Sequence, residues 1–153
     1  MSVRNTGNEF TCYLAGAMSG LTFEEMNNWR KEVKEKLMTI DFNNELNVIN
    51  PTDFFNFEYK YHQNEREVRD FDLRMVTNSD FIIVNLKHLN HSIGTAIELH
   101  EAYYHHHIPV YGYGSKKDYK KLHPWIQENI TRYDKDLDSI IHYISKMWWN
   151  KRR

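Results

Sequence analysis

The chain has one cysteine, Cys12, among its 153 residues. A lone thiol excludes an intrachain disulfide framework and any site built from several thiolates. Proline and glycine are sparse, at 3 and 6 residues, and no Pro/Gly/Ser linker, internal repeat or low-complexity tract breaks the chain. No apolar run approaches the roughly 18 residues needed to cross a bilayer. No basic segment followed by an apolar one opens the chain, so export is not encoded. Charge of either sign is not in excess: 20 Lys+Arg stand against 21 Asp+Glu, for a net charge of −1. The basic surplus of a nucleic-acid groove is missing. These absences lead to the expectation of a soluble, cytoplasmic domain that engages neither nucleic acid nor membrane.

What is present fits one globular core. The chain is 41% hydrophobic and 27% charged, close to the globular norm. It is rich in aromatics (10 Tyr, 8 Phe, 4 Trp) and in Asn (15). A single domain over residues 1–153 is expected, with the polar residues 1–8 loose. Phe10 to Ala15 reads as a strand, followed by a turn between Gly16 and Gly20. Met26, Trp29, Val33 and Leu37 recur at helical spacing, so the pattern predicts an amphipathic helix from Thr22 to Met38. Val48-Ile49 is a short strand stopped by Asn50-Pro51, and Thr52 to Asn64 reads as a loop. Glu65 to Ser79 is helical, Asp80 to Leu86 is a strand, Ile93 to His105 is helical and Ile108 to Tyr111 is a strand. A last helix runs from Asp134 to Trp148. The run Asp-Phe-Ile-Ile-Val-Asn-Leu is apolar without alternation, as in a strand buried on both faces. The expected fold is therefore α/β: an open parallel sheet of about five strands, flavodoxin- or Rossmann-like, with helices on both faces. In such sheets ligands sit beyond the carboxyl ends of the strands.

Two carboxylates stand out. Asp72 shares a helical face with Val68, Met75 and Val76, where a carboxylate is costly unless something uses or pairs it. The alternative is an ion pair with Arg69 or Arg74. Glu98 lies on a helical face with Gly94, Thr95 and Ala102, small residues that admit a ligand. Its alternative is a capping box with Thr95. The turn Gly16-Ala-Met-Ser19-Gly20 could present backbone N–H groups to an anion, or be a plain tight turn. Ser92 could bind a ligand or cap the helix it begins. His105-His106-His107 point about 100° apart and cannot all ligate one ion from one helix face, so a solvated helix end is expected, and neither a metal nor a cofactor. Cys12 falls inside a strand and reads as a buried, inert thiol. Phe54, Phe55, Phe57, Tyr59 and Tyr61 could stack on a base or simply pack together.

Taken in order, three segments resemble the nucleoside 2-deoxyribosyltransferase superfamily, which includes the 2'-deoxynucleoside 5'-monophosphate N-glycosidases. They are Tyr13-Leu-Ala-Gly16-Ala-Met-Ser19-Gly20; Asp72-Leu followed by Asp80-Phe-Ile-Ile-Val; and Ser92-Ile-Gly94-Thr95-Ala-Ile-Glu98-Leu-His-Glu-Ala102, then Ile108-Pro-Val. The likeness spans Tyr13 to Ile126. It implies Glu98 as the nucleophile at the anomeric carbon, Asp72 as the group that manages the leaving base's proton, and Tyr13 as the group that orients Glu98 and the sugar. It also implies a homo-oligomer in which a neighbouring subunit completes the site through about His123-Pro124-Trp125. Gly16, Ser19, Gly20, Ser92 and Gly94 would contact the substrate. The chemistry requires one ionised and one protonated carboxyl; Asp72, on an apolar stripe, is expected to hold the proton and Glu98 to stay ionised. Transferases acting on free nucleosides often carry Asp where this chain has Ser92. A Ser there suits a phosphate, so a deoxynucleoside 5'-monophosphate is the expected substrate and hydrolysis the expected reaction. Base exchange on free deoxynucleosides and a non-catalytic nucleotide-binding module are the alternatives.

Overall fold

The computed structural model describes residues 9–41, 45–55 and 58–149. Strands β1 (Phe10–Ala15), β2 (Leu46–Ile49), β3 (Phe81–Asn85), β4 (Val110–Tyr113) and β5 (Arg132–Asp134) form one sheet in the order β2-β1-β3-β4-β5. Every neighbouring pair is parallel. Helices α1 (Phe23–Ile40), α2 (Glu65–Thr77), α3 (Ile93–His100), α4 (Lys116–Lys121), α5 (Pro124–Gln127) and α6 (Leu137–Trp148) connect and cover it. Among the described residues, no helix is long and apolar enough to cross a membrane.

Local chemistry sets the helix starts. Thr22 accepts the Glu25 N–H while the Glu25 carboxylate accepts the Thr22 N–H, a reciprocal cap that opens α1. Asn64 and Glu67 open α2 in the same way. The period-two alternation of the strands divides the core into two layers. Cys12 and Leu14 of β1 face α1 and α6 together with Phe81 and Ile83 of β3. Tyr13 and Ala15 face the opposite layer with Ile82, Val84, Val76 of α2 and Leu99 of α3. Strand parity thus delivers the Tyr13 hydroxyl to the α2–α3 side.

The structure adjusts several sequence expectations. Strand β4 begins at Val110, because Pro109 has no N–H for the ladder; its carbonyl still accepts the Ile82 N–H. The helix from Ile93 is α-helical only to His100 and continues as a π-helical turn over Glu101–His105. Strand β5 was not legible, being three polar or half-buried residues held by pairing with β4. Trp125 lies in α5, a helix the sequence pattern did not predict, and a 3-10 turn at Pro51–Phe54 interrupts the expected loop of 52–64. Residues 1–8 and Phe57 lie outside the described residues.

Candidate active site

The carboxyl ends of β1 and β3 flank the point where the chain leaves β1 toward opposite sides of the sheet, the usual ligand position in this architecture. Beside it, α2 and α3 enclose a pocket of about 380 Å³ lined by Ser19, Asp72, Gly94, Ile97 and Glu98, with Glu65, Arg66 and Arg69 at α2's first turns. The Tyr13 hydroxyl donates to Glu98 Oε2 at 2.7 Å. Asp72 Oδ1 is buried in this structure without a hydrogen-bond partner. The pairing expected as its alternative does not form: Arg69 bonds Asp70 instead, at 2.9 Å.

The capping alternative for Glu98 is also not realised. Helix α3 starts at Ile93, Ser92 is its cap, and the Thr95 N–H goes to Ser92 Oγ at 3.3 Å. Glu98 is left to face Tyr13 and the pocket.

Electrostatics depart from the expected split. Burial pushes the Asp72 carboxyl up to about 7, partly opposed by the Arg30 charge. Burial also pushes Glu98 up, to about 8; the Tyr13 hydrogen bond opposes this, the Asp72 charge adds to it and Arg30 opposes it. Glu98 was expected to stay ionised, but it is desolvated together with its neighbour. Two carboxyls in one pocket titrate as a pair. The Tyr13 O–H favours the charged form of Glu98, but burial outweighs it and leaves Glu98 the higher of the two, the reverse of the expected split. Burial, followed by the Glu98 charge, raises Tyr13 well above the usual phenol range, so it stays a donor at neutral pH.

The other residues singled out in the sequence fall into four groups. Ser19 and Gly94 line the pocket. Gly16 is required by packing, because a Cβ there would stand 2.4 Å from Cζ2 of Trp29, and Gly20 adopts φ +79° in the turn. Ser92 and His123 line a neighbouring groove rather than the carboxylate pocket. Ser92 Oγ donates to Thr95 Oγ1 at 2.7 Å, and His123 Nδ1 accepts the Trp125 N–H at 3.1 Å. Phe54 and Phe55 pack on Phe71, with centroids 5.8 and 5.9 Å apart, while Tyr59 and Tyr61 are exposed. Among the described residues, no group of three or more His, Cys, Asp or Glu is arranged to hold a metal ion.

Sequence reasoning missed Arg30. It is 1% exposed and lies on α1's apolar stripe between Met26 and Val33. The question asked of Asp72, why a charge sits on an apolar face, would have found it. It also missed Arg66 and named Arg69 only as a possible partner of Asp72; the placement of both at the pocket depends on how α2 docks.

No protein-family model matches the chain, and no curated protein matches it in sequence. Solved structures do. A conserved protein from Enterococcus faecalis V583 superposes with a TM-score of 0.70 at 13% identity, over 90% of this chain and 98% of that one. A 2-deoxyribosyltransferase from Bacillus psychrosaccharolyticus gives 0.66 at 20% identity, over 87% and 91%. A 2-desoxiribosyltransferase from Leishmania mexicana gives 0.51 at 14% identity, over 90% and 98%. At these identities the likeness is one of fold, and the chain has the single-domain, five-stranded parallel α/β fold of these deoxyribosyltransferases.

Proposed function

We propose that this protein is an N-glycosidase of 2'-deoxynucleoside 5'-monophosphates, releasing free base and deoxyribose 5-phosphate. The reading is carried by one observation: Glu98 held at 2.7 Å by the Tyr13 hydroxyl, in the same pocket as an Asp72 oxygen that is buried and unpartnered. Cleavage of an N-glycosidic bond builds positive charge at C1' and negative charge on the departing base. Glu98, ionised, attacks C1'; the C1'–N bond breaks, and its electron pair leaves with the base. Asp72 gives the base its proton. Water then cleaves the glycosyl ester, with Asp72 taking the water's proton. Arg66 lines the pocket and is the cation assigned here to an anionic group of the substrate; Arg69 is largely neutralised by Asp70.

Base exchange on free deoxynucleosides is the second reading, supported by the names of the Bacillus and Leishmania structures and by the shared first half-reaction. The two readings differ only in whether water or a second base opens the ester.

The protein functions in this reading as a homo-oligomer, a dimer or larger. The groove beside the pocket, about 880 Å³, is lined by Ile93, Ile97, Tyr103, Tyr104 and Trp125. Ile93 and Trp125 are 78% and 76% exposed, a contiguous apolar surface of the kind that marks an interface. Ile97 lines both groove and pocket, so a second copy seated there would wall the site and bring its own His123 segment near it.

The test is incubation with a panel of deoxynucleosides and their monophosphates, with and without an added free base, followed by chromatography. Release of base from monophosphates by the wild type, abolished in Glu98→Ala, is expected. Base exchange without net hydrolysis would select the transferase reading. Tight binding with no turnover of any substrate would overturn both.

A further inference from the structure

Among the described residues, Arg30 is the one fully buried cation near the site, and no carboxylate among them bonds it. Its Nε donates to the Leu14 carbonyl at 3.2 Å, Nη2 to the Gly16 carbonyl at 3.1 Å and Nη1 to the Met26 carbonyl. Its guanidinium also lies 4.5 Å from the centre of the Trp29 ring, the ring that occupies the space a Gly16 side chain would need. Buried arginines are ordinarily paired with an acid, because an uncompensated buried charge is costly. Here carbonyl dipoles on both sides of Ala15 hold the cation, one residue beyond Tyr13 in β1.

We propose that Arg30 is a positioning residue of this site: it clamps the carboxyl end of β1, which carries Tyr13, and supplies a fixed positive charge that favours the ionised form of the nucleophile Glu98. The proposal rests on the reading of Glu98 as nucleophile. The titratable groups that act on Glu98 are Tyr13, bonded to it at 2.7 Å, and, through their charge, Asp72 of α2 and Arg30 of α1. Those that act on Arg30 through their charge are Tyr13, Glu98, Asp72 and Tyr113 of β4. Tyr13 and Tyr113 are held neutral by burial, so Arg30 is the charge that opposes burial of the two carboxyls. Arg66 and Arg69 also carry positive charge at the pocket, but they are exposed and solvent screens them. Burial lowers Arg30 itself to about 10, which leaves it charged at neutral pH.

The experiment follows the Glu98 carboxyl by 13C NMR in side-chain-labelled protein, together with the pH dependence of kcat, in wild type, Arg30→Gln and Arg30→Lys. In Arg30→Gln the Glu98 midpoint and the acid limb of kcat are expected to rise together by about one pH unit, lowering kcat about tenfold on that limb. Arg30→Lys keeps the charge but cannot span three carbonyls, so it should shift the midpoint less while lowering stability. A folded Arg30→Gln with an unmoved midpoint would overturn the proposal and leave Arg30 a structural clamp. Should Arg30→Gln not fold, the Arg30 Nε–H signal in wild type and Glu98→Gln decides. It is expected to move through the Glu98 titration in the first and not in the second; a signal indifferent to that titration would overturn the proposal. If the wild type cleaves no nucleotide, the glycosidase reading fails, while the NMR midpoints still report whether Arg30 controls Glu98.

Discussion

Glu98→Gln is expected to stabilise the folded protein at alkaline pH and to leave it unchanged at acid pH. A free glutamate carboxyl ionises near 4.5, whereas Glu98 in the folded protein does so at about 8. The folded state therefore binds the proton more tightly than the unfolded state. Between these two values stability falls as pH rises, because the unfolded chain releases the proton first. Below 4.5 both states hold it and the carboxyl costs nothing. Above 8 the full penalty applies, and at 1.36 kcal/mol per tenfold change in proton affinity it would reach about 4–5 kcal/mol. Part of that belongs to Asp72, whose charge is among the causes, and partial exposure of Glu98 reduces it further, leaving about 2–3 kcal/mol. Glutamine keeps an oxygen to accept the Tyr13 hydrogen bond and carries no charge to desolvate. For a domain of this size the gain corresponds to about 4–12 °C in Tm. Thermal unfolding of wild type and Glu98→Gln at pH 4.5, 7 and 9 measures it. A difference that is the same at all three pH values, or a Glu98→Gln protein less stable at pH 9, would refute the claim that Glu98 is a desolvated carboxyl.

Three further substitutions probe other parts of the structure. Trp125→Glu should dissociate the proposed oligomer, read by sedimentation velocity, and lower base release with it; an unchanged sedimentation coefficient would remove this face from the interface. Ser92→Asp should keep α3 capped, since Asp caps as well as Ser; because Ser92 lines the groove and not the carboxylate pocket, kcat/KM for a monophosphate and for its nucleoside should change by the same factor. A selective loss of about a hundredfold for the monophosphate, or about 2.7 kcal/mol, would show instead that Ser92 faces the phosphate. Gly16→Ala should lower stability by about 1–3 kcal/mol, measured by urea unfolding, because its Cβ would stand 2.4 Å from Cζ2 of Trp29; a neutral effect would mean that Trp29 moves freely.

The candidate site residues were legible because each broke a local rule. Asp72 is a carboxylate on a helix stripe, and Glu98 has a face of small residues. Arg30 broke the same rule on α1, yet the stripe around it was read from its apolar members alone. Ser92 was ambiguous in sequence because a helix cap and a phosphate contact ask for the same residue. In the structure its hydroxyl is already bonded to Thr95 and opens on the groove. Strand β5 was illegible because a three-residue strand at a sheet edge carries no periodicity of its own.

Sequence by itself determined the alternation of strands and helices, the doubly buried β3, and the parity that sends Tyr13 to the opposite layer from Cys12 and Leu14. These are properties of neighbours along the chain, set by a period of two in strands and 3.6 in helices. Only the tertiary structure decided that Tyr13 meets Glu98, 85 residues away, and that both carboxyls are raised together. The same holds for the buried cation from α1 beside them. Proton affinity depends on what has been desolvated and which charges stand within a few ångströms, and no local pattern carries that information until α1, α2, α3 and β1 are packed together.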